Sequence, residues 1–264
     1  MSLHSFIKTA ATVGLLTFSS MTTAMAADLT VGANIGNVPW EFQDESGKIV
    51  GFEIDLATEV ANRLGKSIEF ENIPFNGLFS AVQSGRIDMA VSSITITKKR
   101  LESVTFAQPY YDSDQSLTVT ADSGLKSVGD MKGKVIGVDT GSTGDIWATE
   151  NQEKYGFGEI RRYEGLAPAM LDLTAGRIDG YISDIPALLY YTKDKPNLAV
   201  VERITTGEQY SMMFAKDAEL ASQVNDVLSE LKKKGVVADL HEKWFGSRAE
   251  ETTSTVTILD MPKL

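Results

Sequence analysis

The chain has 264 residues, with 25 Lys and Arg against 36 Asp and Glu, a formal charge of −11, and no cysteine. An acidic balance of that size disfavours nucleic acid and anionic membrane as partners, and a chain without cysteine takes no stability from disulfides. Of the two histidines only His241 lies beyond the N-terminal segment, which excludes a His/Cys metal site.

At the N-terminus, Lys8 precedes the apolar stretch AATVGLLTF, which is too short to span a bilayer, and AMA at Ala24–Ala26 supplies a small-x-small cleavage pattern. Residues 1–26 are expected to be a cleaved secretory signal, so the chain is exported. Losing Lys8 takes the formal charge from −11 to −12. No later stretch approaches a membrane-spanning run of apolar residues. The remaining 264 − 26 = 238 residues suit one large or two modest domains.

The elements then alternate. LTVGAN (29–34) predicts a strand and EIDLATEVANRLG (53–65) an amphipathic helix stopped by Gly65. IEF predicts a strand, and FNGLFSAVQS a helix ahead of the tetrapeptide GRID at Gly85–Asp88. SLTVT (116–120) reads as a strand with no helix before it. A second α/β run follows, with the strand KVIGVD (134–139), the helix STGDIWATENQ, the helix APAMLDLTA and a second GRID at Gly176–Asp179. LAVV and YSMMFA predict strands, LASQVNDVLSELKKKG and VVADLHEKWFG helices.

The two GRID segments share a frame: helix, glycine stop, short apolar strand, polar pair. Ser92 and Ser93 stand seven and eight residues after Gly85, and Ser183 and Asp184 seven and eight after Gly176. Ligands of open α/β sheets bind beyond the carboxyl ends of strands. Each GRID is thus expected to feed one polar pair to a crevice between two sheets, reached by two crossing segments, YYDSDQSLTV and GEQYSMMFA.

In SSITITKKR, Thr97 reads as an N-cap with Arg100 in the first helical turn. The dipole disfavours a cation there, so the position makes sense if Arg100 faces an anion beside Ser92, Ser93 and Thr95. A solvated charge run with Lys98 and Lys99 is the plain alternative. DTGSTGD (139–145), with Ser142 and Thr143, sits between strand and helix and reads either as an anion nest or as a simple junction. Neither a P-loop nor a dinucleotide-binding glycine motif occurs, and no cofactor is expected. Asp184 before Ile185-Pro186 reads as a helix cap or as a carboxylate for an ammonium group. Phe75 and Trp40 are the aromatic candidates to flank a ligand, or core residues.

GFEIDLATEVANRLG, PFNGLFSAVQSGRIDMAVSSITITKKRLESVTFAQPYY, GVDTGSTGD and VVADLHEKWFG together resemble the periplasmic polar-amino-acid-binding proteins of ABC importers, over about residues 28–247. The resemblance implies a two-lobe Venus-flytrap α/β fold with crossing hinge strands. Lobe 1 takes residues 27–111 and 212–247, lobe 2 residues 112–211, and residues 248–264 form a tail. It also implies α-carboxylate binding by Arg100, Thr95 and the Thr143 region, α-ammonium binding by Asp184, Ser93 and Thr95, and Phe75 packing on the ligand. Departures from the pattern fall at Asn34, Asn37, Trp40, Asp139, Gly144 and Ser183, and suggest a wider, more polar pocket. The ligand is then a polar amino acid or an amino-acid conjugate such as an opine, with Asp139 and Asn34 reading its distal end. The partner is an inner-membrane permease, and the receptor a monomer. Two alternatives stand beside transport: a cyclohexadienyl or arogenate dehydratase with Asp139 as the acid, and a sensory protein acting in trans. The tail GSRAEETTSTVTILDMPKL reads as a disordered appendage, with STVTIL as a candidate edge strand.

Overall fold

The computed structural model describes residues 27–264, so the expected signal segment lies outside the described residues. The first run comprises β1 (Leu29–Ala33), the hairpin β2 (Phe42–Gln43) and β3 (Ile49–Val50), α1 (Phe52–Leu64), β4 (Ile68–Asn72), α2 (Phe75–Gln83), β5 (Met89–Ala90), the single turn α3 (Lys98–Leu101) and β6 (Val104–Phe106). The second comprises β7 (Tyr111–Thr120), β8 (Val135–Asp139), α4 (Thr143–Tyr155), β9 (Glu159–Tyr163), α5 (Leu166–Thr174), β10 (Gly180–Asp184), α6 (Ile185–Thr192) and β11 (Leu198–Tyr210). The chain closes with β12 (Met213–Ala215), α7 (Glu219–Lys233) and α8 (Val236–Phe245).

Two five-stranded sheets result, ordered β4-β1-β5-β12-β6 and β11-β7-β10-β8-β9. In each, one strand lies between two parallel partners, β1 between β4 and β5, and β8 between β9 and β10. The chain leaves the first sheet after β6 and re-enters it at β12, antiparallel to both β5 and β6. Between these points β7 and β11 pair antiparallel down to Tyr111–Tyr210 and carry the two crossings.

The doubled GRID builds the same joint twice. Gly85 and Gly176 take left-handed φ of 72° and 69°, which ends α2 and α5 without a Cβ penalty. The isoleucine then packs on a glycine of the strand between the two parallel partners: a Cβ on Gly32 would run into Ile87, and one on Gly137 would lie 2.6 Å from Ile178. The aspartate accepts from that same strand, Thr30 N–H to Asp88 at 2.7 Å and Val135 N–H to Asp179 at 2.8 Å. Glycine stops, isoleucine packs and aspartate fixes the register.

Two sequence expectations change. The first GRID strand shortens to Met89–Ala90, because Ser93 sits at φ 44° and turns the chain out of the sheet. The tail is neither a free appendage nor, among the described residues, an edge strand. Ser254 N–H donates to Asp112 at 2.7 Å, Thr255 Oγ1 to the Tyr110 carbonyl at 3.0 Å, and buried Lys232 to the carbonyls of Pro109 and Thr257 at 2.6 and 3.0 Å.

Candidate functional site

Eleven of the residues singled out in the sequence line one cavity between the sheets: Asn34, Asn37, Phe75, Ser92, Ser93 and Thr95 from one side, Asp139, Ser142, Thr143, Ser183 and Asp184 from the other. The free space is about 30 Å³, room for about one or two water molecules. The expected wide pocket is therefore not what this form shows: the lobes are closed on one another and their own polar groups meet.

Arg100 does not line that space but borders it. Thr97 caps α3 by accepting from Arg100 N–H at 3.1 Å, which fixes the arginine in the first turn. Its guanidinium packs against the rings of Phe75 and Phe79, at 5.4 and 5.0 Å from their centroids. It donates to the Thr95 carbonyl at 2.7 Å and, across the cleft, to the Gly141 carbonyl at 3.2 Å. Burial lowers its pKa to about 10, against the pull of Glu208 and Asp184. No carboxylate among the described residues forms an ion pair with it. A buried guanidinium held only by carbonyls retains capacity for a carboxylate. The reading of Arg100 as a solvated charge run fails on its burial.

Asp184 stands at the N-cap position of α6, yet its side chain makes no capping bond. It turns into the cleft instead, accepting from Ser93 Oγ at 3.0 Å and from Gln115 Nε2 at 2.7 Å. Burial, then the nearby Glu208, raises its pKa to about 7. Asn37 donates to Ser93 Oγ at 3.1 Å, so a relay runs from Asn37 through Ser93 to Asp184. Ser142 caps α4 by accepting from Asp145 N–H at 3.1 Å, so its hydroxyl is engaged, and Thr143, the first residue of that helix, lines the cavity beside it. Gly144 lets α4 approach: a Cβ there would lie 2.8 Å from Gln115 Oε1.

Asp139 ends β8, and burial raises its pKa to about 6 despite the Tyr181 hydroxyl and Gly165 N–H. Its Oδ1 has no hydrogen-bond partner among the described residues, an arrangement that costs free energy until a donor arrives. Asn34 lines the same end.

Trp40 is the correction. It is fully buried and edge-packed against Phe52, Tyr111 and Tyr210, with ring centroids 4.7–5.6 Å away, and offers the cavity no face. The apolar side of α1, the crossing strands and α8 converge there, so the larger ring fills core volume.

Sequence reading missed four carboxylate and amide residues. Glu41 and Glu53 lie together, fully buried, behind the Ser92–Ser93 turn. Glu41 accepts from Ser92 Oγ at 2.7 Å, while Glu53 takes the Ser93 N–H with both oxygens, at 3.0 and 2.9 Å, and the Tyr110 hydroxyl. Burial raises both pKa values, Glu41 the more strongly because Glu53 repels its charge. This pair holds Ser93 in the left-handed backbone conformation, which costs about 1–3 kcal/mol for a residue other than glycine. Gln115 and Glu208, from the crossing strands, are the other two. Only their charge or polarity inside strand-like runs could have signalled them.

These features form a small polar cleft enclosed between two α/β lobes. Residues 29–247 match the family model of bacterial extracellular solute-binding proteins, family 3, and the chain belongs to that family. It is similar to the L-cystine-binding protein TcyJ of Escherichia coli strain K12, 31% identical over 223 residues, 83% of each chain. It is also similar to the histidine-binding periplasmic protein of Salmonella typhimurium, 32% identical over 244 residues, 88% of this chain and 94% of that one. Among solved structures, the arginine-, lysine-, histidine-binding protein ArtJ of Geobacillus stearothermophilus superposes with a TM-score of 0.78 at 33% identity, covering 84% of this chain and 97% of its own. The protein is thus an amino-acid-type solute-binding receptor of ABC importers with the two-lobe Venus-flytrap fold. These relatives are binding proteins rather than enzymes, and no described helix is long and apolar enough to cross a membrane.

Proposed function

We propose that the receptor captures a polar amino acid with a hydrogen-bond-donating, preferably cationic, side chain and delivers it to an inner-membrane permease from the periplasm, after removal of residues 1–26. Lobe 1 is formed by the β1–β6 run with the β12–α8 return, lobe 2 by the β7–β11 run, and the crossings at 110–114 and 208–212 are the hinge. Arg100 with the Thr95 and Thr143 N–H groups takes the α-carboxylate. Asp184 and Ser93 take the α-ammonium, Phe75 packs on the ligand, and Asn34 and Asp139 meet its distal end.

One observation carries this reading: a buried guanidinium without a carboxylate partner among the described residues borders the same cleft as a part-buried carboxylate without a cationic partner among them. The cleft groups Asp139, Asp184 and Glu208 supply three carboxylates against the single guanidinium of Arg100. A zwitterion neutralises one opposite pair, and a second cation on the ligand would offset part of the remaining charge. The relatives named for histidine, cystine, arginine and lysine bind amino acids with nitrogen-bearing distal groups, which supports the choice. The closed cavity, at about 30 Å³, holds neither a plain amino acid nor an opine-type conjugate, so both need the lobes to stop short of this form; the plain amino acid needs the smaller opening and is preferred. A thermal-shift screen of the free amino acids and opines tests the reading: histidine, arginine, lysine or cystine should raise the melting temperature most. A ligand at a hundred times its Kd adds about 2.7 kcal/mol, and a screen led by leucine or glutamate would sink the proposal.

A further inference from the structure

The closed form is fastened by a residue outside the expected set. Strand β11 pairs Ile204 with Gln115 and then Glu208 with Ser113, leaving Thr205–Gly207 looped out as a bulge. Asp114 holds that bulge, accepting from Thr206 N–H and Gly207 N–H at 2.7 Å each and from Arg203 at 2.6 Å, while Gly207 takes φ 64°. Bulges re-aim side chains, and this one delivers Glu208 into the cleft at 6% exposure. There one oxygen accepts from Thr95 Oγ1 at 2.7 Å and from Thr143 Oγ1 at 3.0 Å. The other accepts from Gln115 Nε2 at 3.0 Å. Thr95 follows β5 and Thr143 opens α4, so a single carboxylate on a crossing strand joins both lobes and the opposite crossing strand. No Lys or Arg among the described residues is ion-paired with it.

We propose that Glu208 is the clasp of the closed receptor: a positioning residue that ties Thr95 to Thr143 whether or not ligand is present, so that the protein itself supplies part of the free energy of closure. The assignment builds on the receptor reading but acts on the lobes, leaving Arg100 and the backbone N–H groups to the ligand. Thr95 is already fixed beside the crossing strand, by its bridge to Tyr210 and the Ile96 N–H bond to the Gln209 carbonyl, so the contact that depends on the lobes meeting is the one to Thr143, and its loss should penalise the closed state alone. Every ligand should then lose affinity by a common factor.

The test compares wild type, Glu208→Ala and Thr143→Val, the last severing the clasp from one lobe with little change of shape. Small-angle scattering of the ligand-free proteins should show a larger radius of gyration for both variants. Calorimetry and stopped-flow with L-arginine, L-histidine and L-cystine should show Kd raised about tenfold or more in Glu208→Ala, the weight of a charge-assisted hydrogen bond. That change should be equal for every ligand that binds and carried by the dissociation rate. An unchanged ligand-free radius in both variants overturns the clasp. So does a loss confined to the cationic ligands, which would make Glu208 a reader of ligand charge. If none of the three binds wild type, the ligand reading fails, and the ligand-free scattering still decides the clasp.

Discussion

Ser93 donates its hydroxyl to Asp184 across the cleft at 3.0 Å, and each is the eighth residue after the glycine of its GRID segment. A duplicated helix–glycine–strand unit has placed equivalent positions of two sheets face to face. The first copy contributes a hydroxyl at a left-handed turn, the second a carboxylate freed from capping its helix. Two copies of one structural joint thus become two halves of one site.

The raised carboxyls give the site a pH dependence. Asp184, at about 7, must be ionised to accept an ammonium group. Amino-acid affinity should therefore rise from about pH 5 to about pH 8, with a proton released on binding in the lower half of that range. Asp184→Asn should bind weakly and lose this profile. The ligand-free protein should behave oppositely. Carboxyls with a folded pKa above the unfolded value hold protons that the unfolded chain releases, so their contribution to stability declines from about pH 4 to about pH 7. Asp139 at about 6 and the raised Glu41 and Glu53 act in the same direction. Melting curves with and without ligand should show the two opposite trends.

Asp139 should set the ligand ranking. Its unpartnered Oδ1 calls for a donor from the ligand's distal end. Asp139→Leu should weaken a cationic or hydroxylated ligand by about tenfold or more, the scale of a charged hydrogen bond, and relatively favour aliphatic amino acids. Competition calorimetry of leucine against arginine in both proteins checks it, and an unchanged ranking would count against the role.

The tail should contribute to stability. Deleting residues 249–264 removes the Thr257 carbonyl from Lys232 and two hydrogen bonds to the Tyr110–Asp112 segment. Lys232, lowered to about 7 by burial, would keep only part of its donor set. A loss of about 1–3 kcal/mol is expected in denaturant melts, with ligand affinity at saturating stability little changed.

Much of this was legible in the chain itself. The alternation of elements, the Thr97 cap and the matched polar pairs follow from periodicity and spacing, because one turn or one strand fixes them. Arg100 was legible because a cation in a first helical turn is locally unfavourable. Glu208 was not, since its direction depends on a bulge that Asp114 stabilises from the neighbouring strand. Glu41 and Glu53 look like ordinary helix-start and turn acids until packing buries them together. Trp40, open between ligand wall and core, resolves as core for a related reason: local sequence does not reveal that Phe52, Tyr111, Tyr210 and Phe245 converge on it. The tail turns have no periodicity, and their order comes from Lys232 and from the Tyr110–Asp112 segment far back in the chain.

The central claim is that Arg100 and Asp184 clamp the two ends of one amino acid. Its most direct test is calorimetric titration of L-arginine, L-histidine and L-cystine into wild type, Arg100→Ala and Arg100→Lys. Wild type should bind at least one of them, Arg100→Ala should show no measurable heat while retaining a cooperative melt, and Arg100→Lys should bind poorly because the planar fork is lost. Near wild-type affinity in Arg100→Ala would contradict the account.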